Sequence, residues 1–122
     1  MMLKLDWIDS AVVDAWASGE RLEEITDCPE DAAFAETVSR GLFERSARCM
    51  CTNLAAIVLL SGETEADICA EGSLVQKGRV YRPMLESLIR SEIEEKLGRR
   101  VHFRLGNETT LSGSAAAALL NL

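Results

Sequence analysis

The sequence predicts one helix-rich α/β domain over residues 1–122, in which a short β-sheet is packed by helices. Three observations favour this fold class. Apolar residues recur at three- and four-residue steps in long segments, as they do in amphipathic helices. Residues 66–70 and 101–105 are short apolar or alternating runs typical of strands. A predicted helix separates these strands, and that order favours parallel pairing.

The amino-terminal half is predicted to be almost entirely helical. Residues 6–18 form the first helix, which Gly19 ends, and Leu22 and Ile25 anchor the connection that follows. Proline and two acids at residues 29–31 predict the start of a second helix that runs to about residue 60. Gly41 is expected to loosen or break it. We expect its core-facing apolar stripe to consist of Phe34, Val38, Leu42, Ala47, Met50, Leu54, Ile57 and Val58.

The carboxy-terminal half alternates strands and helices. After a turn at residues 61–63, residues 66–70 predict a buried strand, and Leu74-Val75 predicts a second short strand. Pro83 opens a helix over residues 84–97 that Gly98 ends, with a Glu92–Lys96 surface pair. The last segments are the strand 101–105, a polar loop over 106–112 and an Ala-rich helix over 113–120. Two or three short strands are few for a free-standing sheet, so we expect the chain to form part of a larger sheet.

Composition excludes several classes of function. A formal net charge of −7 disfavours contacts with nucleic-acid phosphates, so we expect no nucleic-acid partner. Backbone N–H groups can still hold the phosphates of a nucleotide. No apolar run is long enough to cross a bilayer, and the amino terminus lacks a secretory leader. We therefore expect a cytoplasmic protein without a membrane partner.

Few residues suggest chemistry by themselves. The turn Glu71-Gly72-Ser73 follows a strand, so its amides and hydroxyl could hold a phosphate. By itself the tripeptide is a weak signal, and a plain surface turn is the favoured interpretation. Gly113 and its small neighbours would let a flat group, such as a base, pack on a helix start. Close packing of that helix on the sheet is the structural alternative. We expect His102 to be a strand surface residue, and we predict neither catalytic nor metal-ligating residues.

The four cysteines could in principle form a metal site or two disulfides. Their spacing favours free thiols instead, because Cys49 and Cys51 point to different sides of one helix. Cys28 and Cys69 do not form a second close pair with them.

Taken in order, these segments resemble the carboxy-terminal part of the hexokinase family, from about residue 34 to residue 120. The resemblance comprises residues 38–48 (VSRGLFERSAR) with the Ala-rich continuation, the turn at 68–74 (ICAEGSL), the helix opening at 81–85 (YRPML) and the stretch 110–115 (TLSGSA). Two positions depart from the family pattern. Glu71 stands where Asp is usual, and Ser114 stands where the family has Ala. The longer acid puts nucleotide affinity in question.

The resemblance implies a partial ribonuclease-H-like, actin-like ATPase domain. It implies that Gly72 and Ser73 contact ATP phosphates, that Leu74 lies beside them and that Gly113 lies near the adenosine. ATP and Mg²⁺ would be the cofactors and a hexose the phosphorylated substrate in a complete enzyme. The catalytic Asp and the glucose-binding residues of the family belong to an amino-terminal lobe that this sequence lacks, so the chain alone should be inactive.

Two other interpretations stay open. One is a non-catalytic binding or interaction module that keeps the fold. The other is a piece of a related kinase acting on acetylated amino sugars. If the chain is a fragment, an apolar face of its sheet should be exposed, and a second copy of the chain could cover that face as a homo-oligomer.

Overall fold

The computed structural model describes residues 8–106 and 109–121. Its helices are α1 (Ser10–Ala17), α2 (Pro29–Ser61), α3 (Ser73–Lys77), α4 (Tyr81–Leu88) and α5 (Thr109–Leu120). A 3₁₀ turn (Leu22–Glu24) precedes α2, and α4 continues into a π-helix (Ile89–Glu95). The strands are β1 (Glu65–Ala70) and β2 (Arg100–Leu105). Over these ranges, no helix has the length and apolar character required to span a bilayer.

The first helix is confirmed over residues 10–17. The Asp9 carboxylate accepts a hydrogen bond from the Val12 N–H at 2.9 Å, which caps the amino terminus of α1. The first two residues of the predicted range, 6 and 7, lie outside the described residues. Ile25 is fully buried and packs with Val12 and Trp16, so its predicted role as an anchor is confirmed.

Gly41 was expected to loosen or break helix α2. The helix runs unbroken through 33 residues, so the expected break is wrong. A glycine inside a helix costs only about 1 kcal/mol relative to alanine. Side chains on either side of Gly41 are held in the core, and their burial outweighs that cost. The start of the helix at Pro29, with two acids in its first turn, is confirmed.

The predicted core stripe of α2 is largely wrong. Five of its members are exposed instead: Phe34, Val38, Leu42, Met50 and Ile57. The helix carries two apolar stripes, and the one that packs inward advances mostly in steps of four: Ala35, Ser39, Phe43, Ala47, Cys51 and Val58. The sequence pattern indicates a long amphipathic helix correctly, but the smaller side chains take the buried side because they allow closer packing.

Two glycines of α2 are expected to respond oppositely to alanine. Gly41 has open space where a Cβ would lie, so Gly41→Ala should raise the free energy of unfolding by about 0.5–1 kcal/mol. Gly62 ends the helix with φ +73°, so Gly62→Ala should lower it by about 1 kcal/mol. Urea unfolding followed by circular dichroism measures both values. If both variants change the free energy of unfolding in the same direction, the two glycines do not have the different roles described here.

The two strands pair in parallel, with Glu65 opposite Arg100 and Ala70 opposite Leu105, as predicted. The prediction that β1 is buried is wrong, because its residues alternate between exposed and half-buried positions. The inner face packs on the core through Ala66, Ile68 and Phe103.

The outer face of the sheet is charged, not apolar as expected for a fragment. Glu65 pairs with Arg100 at 3.5 Å, and Asp67 pairs with Arg104 at 3.6 Å. These cross-strand pairs favour the observed register. Association of a second copy through this face stays an untested prediction.

The main core lies between α2, α4 and the inner face of the sheet. Phe43 and Tyr81 meet edge to face, with ring centroids 5.9 Å apart. Leu85, Ile89 and Ile93 belong to the same core cluster and are almost fully buried. The helix predicted over residues 84–97 is confirmed, although it begins at Tyr81 and widens into the π-helix at Ile89.

Candidate functional site

The carboxyl ends of β1 and β2 lie at one edge of the sheet, because the strands are parallel. The Gly106 N–H donates to the Ala70 carbonyl at 2.7 Å and joins the two strand ends. The Gln76 side-chain amide donates to the Gly106 carbonyl, so α3 is tied to the end of β2. Ligands of open α/β sheets usually bind in the crevice beyond this edge.

The chain leaves β1 through a turn that only glycine adopts without strain. Gly72 has φ +123° and ψ 152°, and a Cβ built on it would meet nothing within 4 Å. A ligand can therefore approach the backbone closely here. Helix α3 begins at the next residue, so Leu74 is helical and the prediction of a strand at Leu74-Val75 is wrong. The predicted role of the Ser73 side chain lies outside what the structure describes.

Further along the chain, a cavity of about 280 Å³ opens between α1 and the segment from Leu74 to Arg79. Leu74, a residue predicted for the site, lines it. The other lining residues come from two separate parts of the chain: Ser10, Ala11, Asp14, Ala15, Glu20, Arg21, Lys77, Gly78 and Arg79. We call this space the α1–α3 cavity.

Three positively charged side chains line the cavity, and they differ in their ionic partners. The Arg79 guanidinium pairs with Glu20 across the cavity. Arg21 pairs with Glu24 at 2.8 Å, and this hydrogen bond, together with the nearby negative charge, raises the pKa of Arg21. Lys77 is exposed and has no ionic partner in the part of the chain that the structure describes. Lys77 is therefore the cation most available to an anionic ligand.

A buried carboxylate holds the wall of the cavity in place. Asp14 accepts hydrogen bonds from the Arg79 N–H at 3.0 Å and from the Val80 N–H at 3.0 Å. These bonds join α1 to the segment before α4. Gly78 permits the tight end of α3, since a Cβ there would collide with the Leu74 carbonyl oxygen.

Sequence reasoning missed Asp14, Lys77 and Arg79 as site residues. Asp14 stands on a helix among twenty acids, and Arg79 lies 65 positions further along the chain. No motif connects them, and they become neighbours only when α1 packs beside α3. The glycine turn, by contrast, is a local feature that a sequence pattern can reveal.

The last predicted site residue, Gly113, lies inside α5 and not at its start, because the helix begins at Thr109. The side chains described in α5 are all exposed, and a Cβ at Gly113 would meet nothing within 4 Å. Among the described residues, none from α5 lines the α1–α3 cavity. The predicted contact of Gly113 with adenosine stays a prediction.

Cysteine and histidine are also reactive residue types, and their surroundings here are those of structural residues. All four cysteines are free thiols; Cys28, Cys49 and Cys69 are exposed, whereas Cys51 is buried. Burial, and secondarily the charge of Glu92, raise the pKa of the Cys51 thiol and make it less reactive. The His102 imidazole lies 3.8 Å from the Glu65 carboxylate on the outer face of the sheet, where a strand surface residue was predicted.

Comparison with known families adds one finding. A family model described as hexokinase matches residues 9–120. The matched range includes both strands, the turn at Gly72, the α1–α3 cavity and all of α5. Searches of curated proteins and of solved structures found no match.

Proposed function

Because the chain belongs to the hexokinase family, we propose that it forms the nucleotide-binding side of an ATP-dependent hexokinase. In the complete enzyme, the γ-phosphate of ATP passes to a hydroxyl of a hexose. The observation that carries this proposal is the open turn at Gly72, which leads directly into α3, whose residues Leu74 and Lys77 line a cavity and supply its available cation. This turn stands at the edge of a parallel sheet where such ligands bind.

The turn suits a phosphate for two reasons. The backbone at Gly72 can approach an oxygen closely, and the N–H groups that open α3 have no earlier helical carbonyl to bond. The Ser73 hydroxyl would add a donor, and Lys77 would supply positive charge one helical turn further on. Leu74 gives the α1–α3 cavity an apolar wall, which suits the base or ribose of the same nucleotide.

Mg²⁺ would be held largely by the nucleotide. Proteins usually bind Mg²⁺ through one or two carboxylates together with substrate phosphates. Over residues 8–106 and 109–121, no group of three or more His, Cys, Asp or Glu side chains could hold a metal ion alone. When bound, the ion would neutralise charge on the transferred phosphoryl group.

Sugar binding and the proton-accepting Asp are proposed to come from further polypeptide with the ribonuclease-H-like fold. Two features support this proposal. Among the described residues, β1 and β2 pair only with each other, so the outer side of each strand has no neighbouring strand. Helix α5 exposes Leu111, Leu119 and Leu120, and such large apolar side chains are usually covered in a complete domain. We therefore expect no sugar phosphorylation by this chain alone.

Binding of ATP with Mg²⁺ to the isolated chain tests the proposal. Calorimetric titration should give a dissociation constant near the millimolar range, because the chain offers only one side of the site. Lys77→Ala should weaken binding about fivefold, equivalent to about 1 kcal/mol. Lys96→Ala is the matched control, because Lys96 is paired with Glu92 on the distant π-helix and should leave the affinity unchanged.

Amide chemical-shift changes on titration should cluster at residues 72–79 and on α1. If ATP with Mg²⁺ does not bind at about 10 times the expected millimolar dissociation constant, the proposal is contradicted and the non-catalytic module is favoured. An equal loss of affinity in Lys77→Ala and Lys96→Ala would reveal nonspecific attraction and would also contradict it.

A further inference from the structure

Helix α2 has a second stripe of uncharged, mostly apolar side chains beside the one that packs into the core. Its residues follow one another at steps of three or four, span about 40 Å of the helix, and are all exposed. We call it the outer stripe: Phe34, Val38, Leu42, Ser46, Cys49, Asn53, Ile57 and Leu60. None of these side chains is charged, although the chain carries a net charge of −7.

The order of side chains along the outer stripe is self-complementary. When two copies of α2 are aligned antiparallel about a two-fold axis near residues 47 and 48, Phe34 lies opposite Leu60 and Val38 opposite Ile57. Leu42 then lies opposite Asn53, and the small Ser46 lies opposite Cys49. Large side chains thus meet large ones at both ends, whereas small ones let the helices approach closely near the axis.

An apolar cavity lies where this alignment needs one. It measures about 270 Å³ and is bordered by Phe34, Val38 and Leu42 of the outer stripe. Its remaining walls come from α1 and the residue Ile8 before it, from Ile25 after the 3₁₀ turn, and from the inner side of α2: Ile8, Val13, Trp16, Ile25, Ala35 and Ser39. In the antiparallel alignment, Ile57 and Leu60 of a second copy lie over this cavity.

We propose that the outer stripe is the contact surface of a homodimer in which two α2 helices pack antiparallel. Leu60 and Ile57 of each copy insert into the cavity between α1 and α2 of the other. A neutral stripe is suited to self-association, because two chains of like net charge repel each other through their charged surfaces. The two-fold axis repeats the insertion twice, as an isologous interface requires.

Sedimentation equilibrium on matched leucine variants tests the dimer. The wild type is expected to dimerise at micromolar concentration, and Leu60→Glu should weaken the dimer at least a hundredfold, since two charges would be buried. The control is Leu120→Glu on α5, because Leu120 is 86% exposed and Leu60 is 87% exposed. The control should dimerise as the wild type does. A wild type that stays monomeric at about 500 times the expected micromolar dissociation constant of the dimer would overturn the proposal.

Cross-linking reports on the register separately. In a variant with Cys28 and Cys69 replaced by serine, Cys49 is the exposed thiol and lies near the proposed axis. A short bismaleimide should then give a covalent dimer, which Leu60→Glu should suppress. Replacing Cys49 and restoring Cys69 should remove the product. Efficient cross-linking through Cys69, or suppression by Leu120→Glu, would show that another surface associates and would refute the outer-stripe dimer.

Discussion

Asp14→Ala is expected to lower the free energy of unfolding by about 3–4 kcal/mol. The buried carboxylate accepts the N–H groups of Arg79 and Val80, and alanine would leave both donors without an acceptor. A hydrogen bond to a charged group contributes about 1.5–3 kcal/mol, and an unsatisfied buried donor adds a penalty. Since small domains are stable by only about 5–15 kcal/mol, this loss should shift the urea midpoint substantially.

Asp14→Asn is the matched variant, because its amide retains one oxygen acceptor. Asp14 Oδ1 receives both the Arg79 and the Val80 N–H groups, so one well-placed oxygen preserves much of the contact. We expect Asp14→Asn to cost about 1 kcal/mol. If alanine and asparagine destabilise the chain equally, the carboxylate does not hold the wall of the α1–α3 cavity.

Leu85→Ala is expected to cost about 3 kcal/mol, within the range of buried leucine truncations. Leu85 is 2% exposed and belongs to the core between α2 and α4. Truncation removes its apolar contacts and leaves a cavity in the core that also contains Phe43 and Tyr81, and the rigid helices fill it only partly.

Leu119→Ala in α5 provides the same chemical change at a surface. Leu119 is 70% exposed, so its truncation should change the free energy of unfolding by less than about 0.5 kcal/mol. Urea unfolding of both variants at one protein concentration gives the comparison. A large cost for Leu119→Ala would show that α5 is packed in solution, and it would weaken the inference that further polypeptide covers this helix.

Local patterns were sufficient to identify most of the elements. Pro29 with its following acids predicted the start of α2, and the alternation through residues 101–105 predicted β2, because both depend on nearby residues. The parallel pairing followed from the helix between the strands. Leu74-Val75 was misassigned because two apolar residues fit a strand or a helix equally well.

Burial was harder to predict than secondary structure. Phe34 and Leu42 are larger and more apolar than Ala35 and Ser39, so the sequence favoured the wrong side of α2 for the core. Which side packs inward depends on what α1, α4 and the sheet present to it, and that arrangement is not local. The same limitation placed β1 in the interior, although its outer face bears charged pairs.

For this protein, the sequence by itself determined the order of helices and strands except at α3, the glycine turn after β1 and the likeness to hexokinases. The tertiary structure alone decided that α1 lies beside α3, that Asp14 holds the backbone of Arg79 and Val80, and that a cavity opens next to Lys77. The physical reason is distance along the chain. Turn and helix signals act over a few residues, whereas a cavity wall depends on packing between segments some 60 positions apart.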